Sequence, residues 1–210
     1  MSKILRYGIL SHAKISLVQA VSLYAASADL RTKAFSGRRM PDVPFSLIPR
    51  GVYSSVAQIR PEALADRGIR LVLADLDNTL APYHVEEPAP EIIQWKDELE
   101  ARGILLFLLS NSRKPGRAQR FAEKLGIPYQ GHSGKPKRAG YLRAMERMGC
   151  KGSETVMVGD QIFTDILGAN NAGVVPLLVE PIRLAGNPGR YIRYAAETPF
   201  RELGKRRPFL

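Results

Sequence analysis

From Ile69 onward the chain alternates short, wholly apolar runs with segments of helical period, and that alternation constrains the fold more than any other feature. "IRLVLAD", "ILLFLLS", "TVMVGD" and "VVPLLVE" have strand length and are apolar on both faces, so each must be covered above and below. Between them, "PEIIQWKDELEARG" sets Ile92, Ile93, Trp95 and Leu99 at helical steps and stops at Gly103. Further helices are expected from about Pro115 to Leu125, from Lys137 to Met148 and over "TDILGANNAG". Strands buried on both faces and separated by helices make a doubly wound parallel sheet, an α/β fold. A chain of 210 residues, 45% of them hydrophobic, has room for one such core and a small appendage.

In a sheet of this kind the ligand crevice lies at the carboxyl ends of the strands. The first strand delivers Asp75 and Asp77, and the second delivers Ser110 and Asn111. "VMVGDQIFTD" delivers Asp160, with Asp165 one turn beyond, and Lys135 lies in the loop "HSGKPK". Singly, each has an ordinary reading, because Asp and Asn form turns and cap helices and Lys-Pro-Lys is a common solvated loop. Together they bring acids, a hydroxyl and a lysine to one edge. Carboxylates from separate strands repel each other and are tolerable when a cation sits among them. Oxygen donors without Cys or His favour a hard ion, Mg²⁺. A lysine and a Ser/Asn pair beside that ion suit a phosphoryl group, with one Asp as nucleophile and its neighbour two residues on as proton donor. Arg113, Lys114, Arg117, Lys137 and Arg138 read as solvated basic residues, and Trp95 and Phe107 as core. His12, His84 and His132 show no ligand spacing, and a single cysteine, Cys150, excludes an internal disulfide and fits a reducing cytoplasm.

The set "DLDNT", "LLSNS", "GKPK" and "GDQIFTD", in this order, resembles the four signature motifs of the haloacid dehalogenase (HAD) superfamily. The resemblance covers about Phe45 to Leu184. Within it, "GIRLVLADLDNTL", "PEIIQW" and "VGDQIFTDILGANNAG" resemble the YqeG family of subclass IIIA phosphatases. The resemblance implies a HAD-like Rossmannoid sheet, Asp75 as nucleophile forming an aspartyl-phosphate, and Asp77 as acid and then base. It implies that Thr79 steadies the turn and that Ser110 and Lys135 bind the phosphoryl oxygens. Asn111 is read either as a phosphate contact or as the residue that shapes the loop. Mg²⁺ is expected on Asp75, the backbone carbonyl of Asp77 and Asp160, with Asp165 in support. Asp75 to Ser110 is 35 positions, and 25 more lead to Lys135 and another 25 to Asp160. Each interval is filled by one crossover unit, so the domain is capless, with "APYHVEEPAP" as a small flap. An open site suits a phosphate projecting from something large. The YqeG resemblance favours the lipid phosphatidylglycerophosphate over a nucleic acid 3′-phosphate, and either over a catalytically idle binding module.

The net charge of +11 lies on the two ends, while residues 61–180 are close to balanced. Basic ends suit an anionic membrane surface or nucleic acid, or simply a solvated surface. Residues 1–39 are expected to form an N-terminal extension, helical or flexible, ahead of a phosphatase domain over 40–210. Family members begin near a Pro-Asp pair like Pro41-Asp42, so the extension is either a membrane-surface helix or the result of a start site placed too early. Its uncharged stretch from Ile15 to Ala28 is too short and polar to span a bilayer. "AASA" is a weak cleavage signal, and the expected location is cytoplasmic, peripheral to the inner face of the membrane.

Overall fold

The computed structural model describes residues 46–112, 114, 116–184, 188–206 and 209. The expected extension over residues 1–39 lies outside them, as does Arg113. Six parallel strands form one sheet: β1 (Gly51–Tyr53), β2 (Leu71–Ala74), β3 (Leu105–Leu109), β4 (Tyr129–Gln130), β5 (Thr155–Gly159) and β6 (Val175–Val179), in the order β1-β6-β5-β2-β3-β4. The helices are α1 (Pro61–Ala65), α2 (Pro90–Ala101), α3 (Arg117–Leu125), α4 (Arg138–Met148), α5 (Leu167–Ala172) and α6 (Pro188–Lys205).

Alternate residues of the central strands enter different cores. Val72, Ala74, Leu106, Leu108, Val156 and Val158 pack with Trp95, Leu99, Phe121 and Leu125 on one face. Leu71, Leu73, Phe107, Leu109 and Met157 pack with Tyr141, Met145 and Ala169 on the other. A strand with period-2 geometry and apolar residues at every position has no solvent face to offer, which is why helices must cover both sides. Trp95 completes its burial by donating its indole N–H to Ile59 O at 2.8 Å. Helices α3, α4 and α5 end on Gly126, Gly149 and Gly173, each with positive φ.

From β2 the chain steps outward to β3 and β4, then returns to the other side of β2 for β5 and β6. The reversal falls between β2 and β5, which is where a doubly wound sheet opens its crevice. The segment from Asp75 to Ala89 joins β2 to α2 without a helix of its own, so no cap is inserted before β3. The final basic stretch folds as α6, an 18-residue helix, rather than remaining a solvated tail. Its face carrying Glu197, Arg201 and Gly204 is buried, and a Cβ on Gly204 would come within 2.4 Å of Pro49. No helix of the described residues is long and apolar enough to cross a membrane.

Candidate active site

The ends of β2, β3 and β5 bring Asp75, Ser110 and Asp160 to one edge, all buried. Lys135 reaches them from the loop after β4, with its side chain only 2% exposed. Its Nζ lies 2.5 Å from Asp75 Oδ1 and 2.8 Å from Asp165 Oδ1, and donates to Leu109 O at 2.8 Å. Burial opposes the charge on Lys135, but Asp165 and Asp75 outweigh it and hold the ammonium above its ordinary range. A buried cation in this position is fixed by its counter-charges.

Asp165 sits in a π-helical turn, Ile162–Ile166, that directs its carboxylate back over the end of β5. Its Oδ2 accepts from Gln161 N at 3.1 Å, and a Cβ on Gly159 would lie 2.4 Å from its carboxyl carbon. Only glycine before Asp160 therefore lets the two carboxylates share the crevice. Tyr141 supports the turn from below, its hydroxyl donating to Asp165 O at 3.1 Å.

Carboxylate oxygens of Asp75, Asp160 and Asp165 lie within 4.8 Å of one another. Three carboxylates against one ammonium leave two uncompensated negative charges, which a divalent cation would balance. Burial pushes Asp75 up to about 6 despite the pull of Lys135, with Asp165 adding to the rise. Asp160 is raised well above the carboxylate range by burial, then by Asp165 and Asp75. A cation among them would remove the repulsion and the desolvation penalty together, so the residues present fit a metal site.

Thr79 donates to Asp160 Oδ1 at 3.3 Å and so joins the turn after β2 to the fourth motif. Asn78, between Asp77 and Thr79, carries a positive φ of 68°. Ser110 is fully buried, and its Oγ accepts from Ser112 N at 3.0 Å. The Asn111 amide is engaged by the lysine loop: its oxygen accepts from Ser133 Oγ, Gly134 N and Lys135 N, and its nitrogen donates to Lys135 O. These bonds hold the segment of Ser110 and Asn111 against the lysine loop.

The Asp77 carboxylate lies outside the three-acid cluster. Its Oδ1 accepts from Arg117 Nε at 2.8 Å. Arg117, expected on a solvated loop, is instead 1% exposed, and it also donates to Pro82 O at 2.9 Å and Val85 O at 2.5 Å. It thereby ties Asp77 to the flap. Its position was legible: Arg117, Phe121 and Leu125 fall at i, i+4 and i+8 on the buried stripe of α3. A second unforeseen residue is Arg201 of α6, whose buried guanidinium donates to Asp160 O and pairs with Glu197 at 3.1 Å.

Residues 13–173 match the model of a hydrolase family described as haloacid dehalogenase-like hydrolase. The chain is 34% identical over 135 residues to the "Probable phosphatase YqeG" of Bacillus subtilis, an alignment spanning 64% of this chain and 78% of that protein. It is 31% identical over 151 residues to "Phosphatidylglycerophosphate phosphatase 1, chloroplastic/mitochondrial" of Arabidopsis thaliana, spanning 68% of this chain but 43% of that longer protein. Among solved structures, the cobalt-bound deoxy-D-mannose-octulosonate 8-phosphate phosphatase of Haemophilus influenzae aligns with a TM-score of 0.42 at 16% identity. That alignment covers 68% of this chain and 93% of the enzyme.

Proposed function

We propose, from the premise that this chain belongs to the haloacid dehalogenase-like hydrolase family and is a phosphatase, that it cleaves a phosphomonoester on a membrane lipid headgroup, with phosphatidylglycerophosphate as substrate. The observation that carries the reading is the capless crevice bordered by exposed apolar and basic residues. Ile182 N donates to Asn78 O at 3.0 Å in the catalytic turn, yet the Ile182 side chain points outward with the residue 51% exposed. Tyr191 and Ile192 of α6 are 51% and 73% exposed, and Arg183 and Arg190 stand beside these residues in sequence. An exposed isoleucine next to an arginine at the catalytic turn, followed by exposed apolar residues among the arginines of α6, suits an anionic lipid surface. The relationship to a protein named as a phosphatidylglycerophosphate phosphatase points the same way.

In the proposed chemistry, an Asp75 oxygen attacks phosphorus as the bond to the lipid oxygen breaks, and Asp77 gives that oxygen a proton. Asp77 then takes a proton from water, which attacks the aspartyl-phosphate and frees phosphate and Asp75. Arg117 is a positioning residue that fixes the direction of the Asp77 carboxylate. Lys135 and Ser110 receive the phosphoryl oxygens, while Thr79 and Asn111 hold the loops that present them. Asp75 and Asp160 with the Asp77 carbonyl would hold Mg²⁺, supported by Asp165, and the ion would supply positive charge to the phosphoryl group. A cytoplasmic enzyme attached peripherally to the inner membrane face follows from this reading.

The test is phosphate release, with Mg²⁺, from phosphatidylglycerophosphate in anionic vesicles, from soluble glycerophosphate and from a 3′-phosphorylated oligonucleotide. The vesicle substrate should give the highest catalytic efficiency. Preference for the oligonucleotide would replace the lipid reading with a nucleic acid one.

A further inference from the structure

We propose that the cations gathered around Tyr83 form a second anion site beside the catalytic crevice, and that it takes a phosphodiester adjoining the phosphomonoester that is cleaved. The inference rests on the lipid reading for the identity of its ligand, but on separate residues for its existence. Lys114 Nζ lies 4.4 Å from the centre of the Tyr83 ring, and the guanidinium carbons of Arg190 and Arg117 lie 5.6 Å and 5.9 Å from it. Three cations thus share one aromatic ring in the flap.

Asp77 answers the charge of Arg117. Among the described residues no carboxylate pairs with Lys114 or Arg190. Lys114 donates to Tyr83 O at 3.3 Å, and Arg190 Nη1 donates at 3.1 Å to the Asn78 amide oxygen, the amide being oriented by its partners. The flap's own acids are taken elsewhere, Glu86 by Arg120 at 2.7 Å and Glu87 by Lys124. Two half-buried cations held on one ring repel each other, and the ring quadrupole offsets only part of that. An anion held by these cations would offset that repulsion, and phosphate oxygens match both donors.

The location specifies what kind of anion. Arg117 contacts Asp77 and Arg190 contacts Asn78, so the cluster abuts the turn that follows Asp75. Arg190 and Arg193 also line a small cleft with Asn78, Asp160 and Gln161. A group bound there belongs to the molecule whose phosphomonoester lies at Asp75, a few bonds away. Phosphatidylglycerophosphate offers this arrangement, with a diester one glycerol unit from the monoester. A nucleic acid 3′-end offers it too, but the exposed Ile182, whose N–H donates to Asn78 O in the same turn, favours the lipid.

The experiment compares catalytic efficiency on glycerophosphate, which has one phosphate, with that on the soluble deacylated headgroup glycerophosphoglycerol phosphate, which has both. The wild-type chain should prefer the headgroup by about tenfold or more, as hydrogen bonds to charged groups allow. That preference should fall as salt rises. In the Lys114→Gln/Arg190→Gln double variant the ratio should approach one, chiefly through KM. A wild-type ratio near one, or an unchanged ratio in a folded double variant, would overturn the site. Equal efficiency on the headgroup free and in anionic vesicles would overturn the membrane reading while leaving the site standing. A 3′-phosphorylated oligonucleotide preferred over the headgroup, with that preference lost in the double variant, would overturn the lipid diester as its occupant.

Discussion

Asp75 and Asp77 are two residues apart but occupy different electrostatic settings. Asp75 is buried against Lys135 and two further acids, whereas Asp77 faces Arg117 and the flap. The separation suits a nucleophile and a proton carrier. Asp75→Asn is expected to abolish turnover with the fold retained, and Asp77→Asn to slow it by about 10²–10⁴-fold; phosphate release and circular dichroism check both. Arg117→Met should leave Asp77 and two flap carbonyls without their donor. Because the arginine is buried, the loss should be roughly 3 kcal/mol in urea unfolding. Asp75, Asp77 and Asp160 were legible because they stand where apolar strands stop, and Lys135 and Asp165 through the stretches "GKPK" and "GDQIFTD". Tyr141 and Arg201 were not, since their partners lie 24 and 41 positions away and nothing local marks them.

At the scale of elements, the three-acid cluster depends on β2, β5 and the π-helical turn holding their ends together. The central strands and α2 to α5 were readable from period and from glycine stops. The strands β1 and β4 have three and two residues, too few to show a period, and take their conformation from pairing with β6 and β3. The helix α6 was hidden by its charge and by Pro199 within it. Without an ion, Asp75 holds its proton to about pH 6 in the folded chain, against an ordinary value of 3.8. The stability linked to that proton is full below the unfolded value and is lost as pH rises toward 6, a loss of about 3 kcal/mol. Mg²⁺ needs the ionised form, so its increase of Tm should be larger at pH 7.5 than at pH 5. Equal shifts at the two pH values would show that the ion binds elsewhere.

Over the whole molecule, every described strand and every candidate site residue lies after Met40. A chain starting there is expected to unfold cooperatively and to retain activity on a soluble phosphate, measured by thermal denaturation and phosphate release. The sheet order gathers the chemistry at one edge, and the crossover from β2 to β3 inserts no cap over it. Passage of phosphate through Asp75 on this edge is the step on which the proposed chemistry rests. It is tested most directly by a rapid acid quench of a single turnover with phosphatidylglycerophosphate labelled in its terminal phosphate, in the presence of Mg²⁺. A transient, acid-stable label is expected on the peptide containing Asp75, absent from Asp75→Asn. Complete turnover with no label on the chain at any time, or a label on another residue, would contradict it.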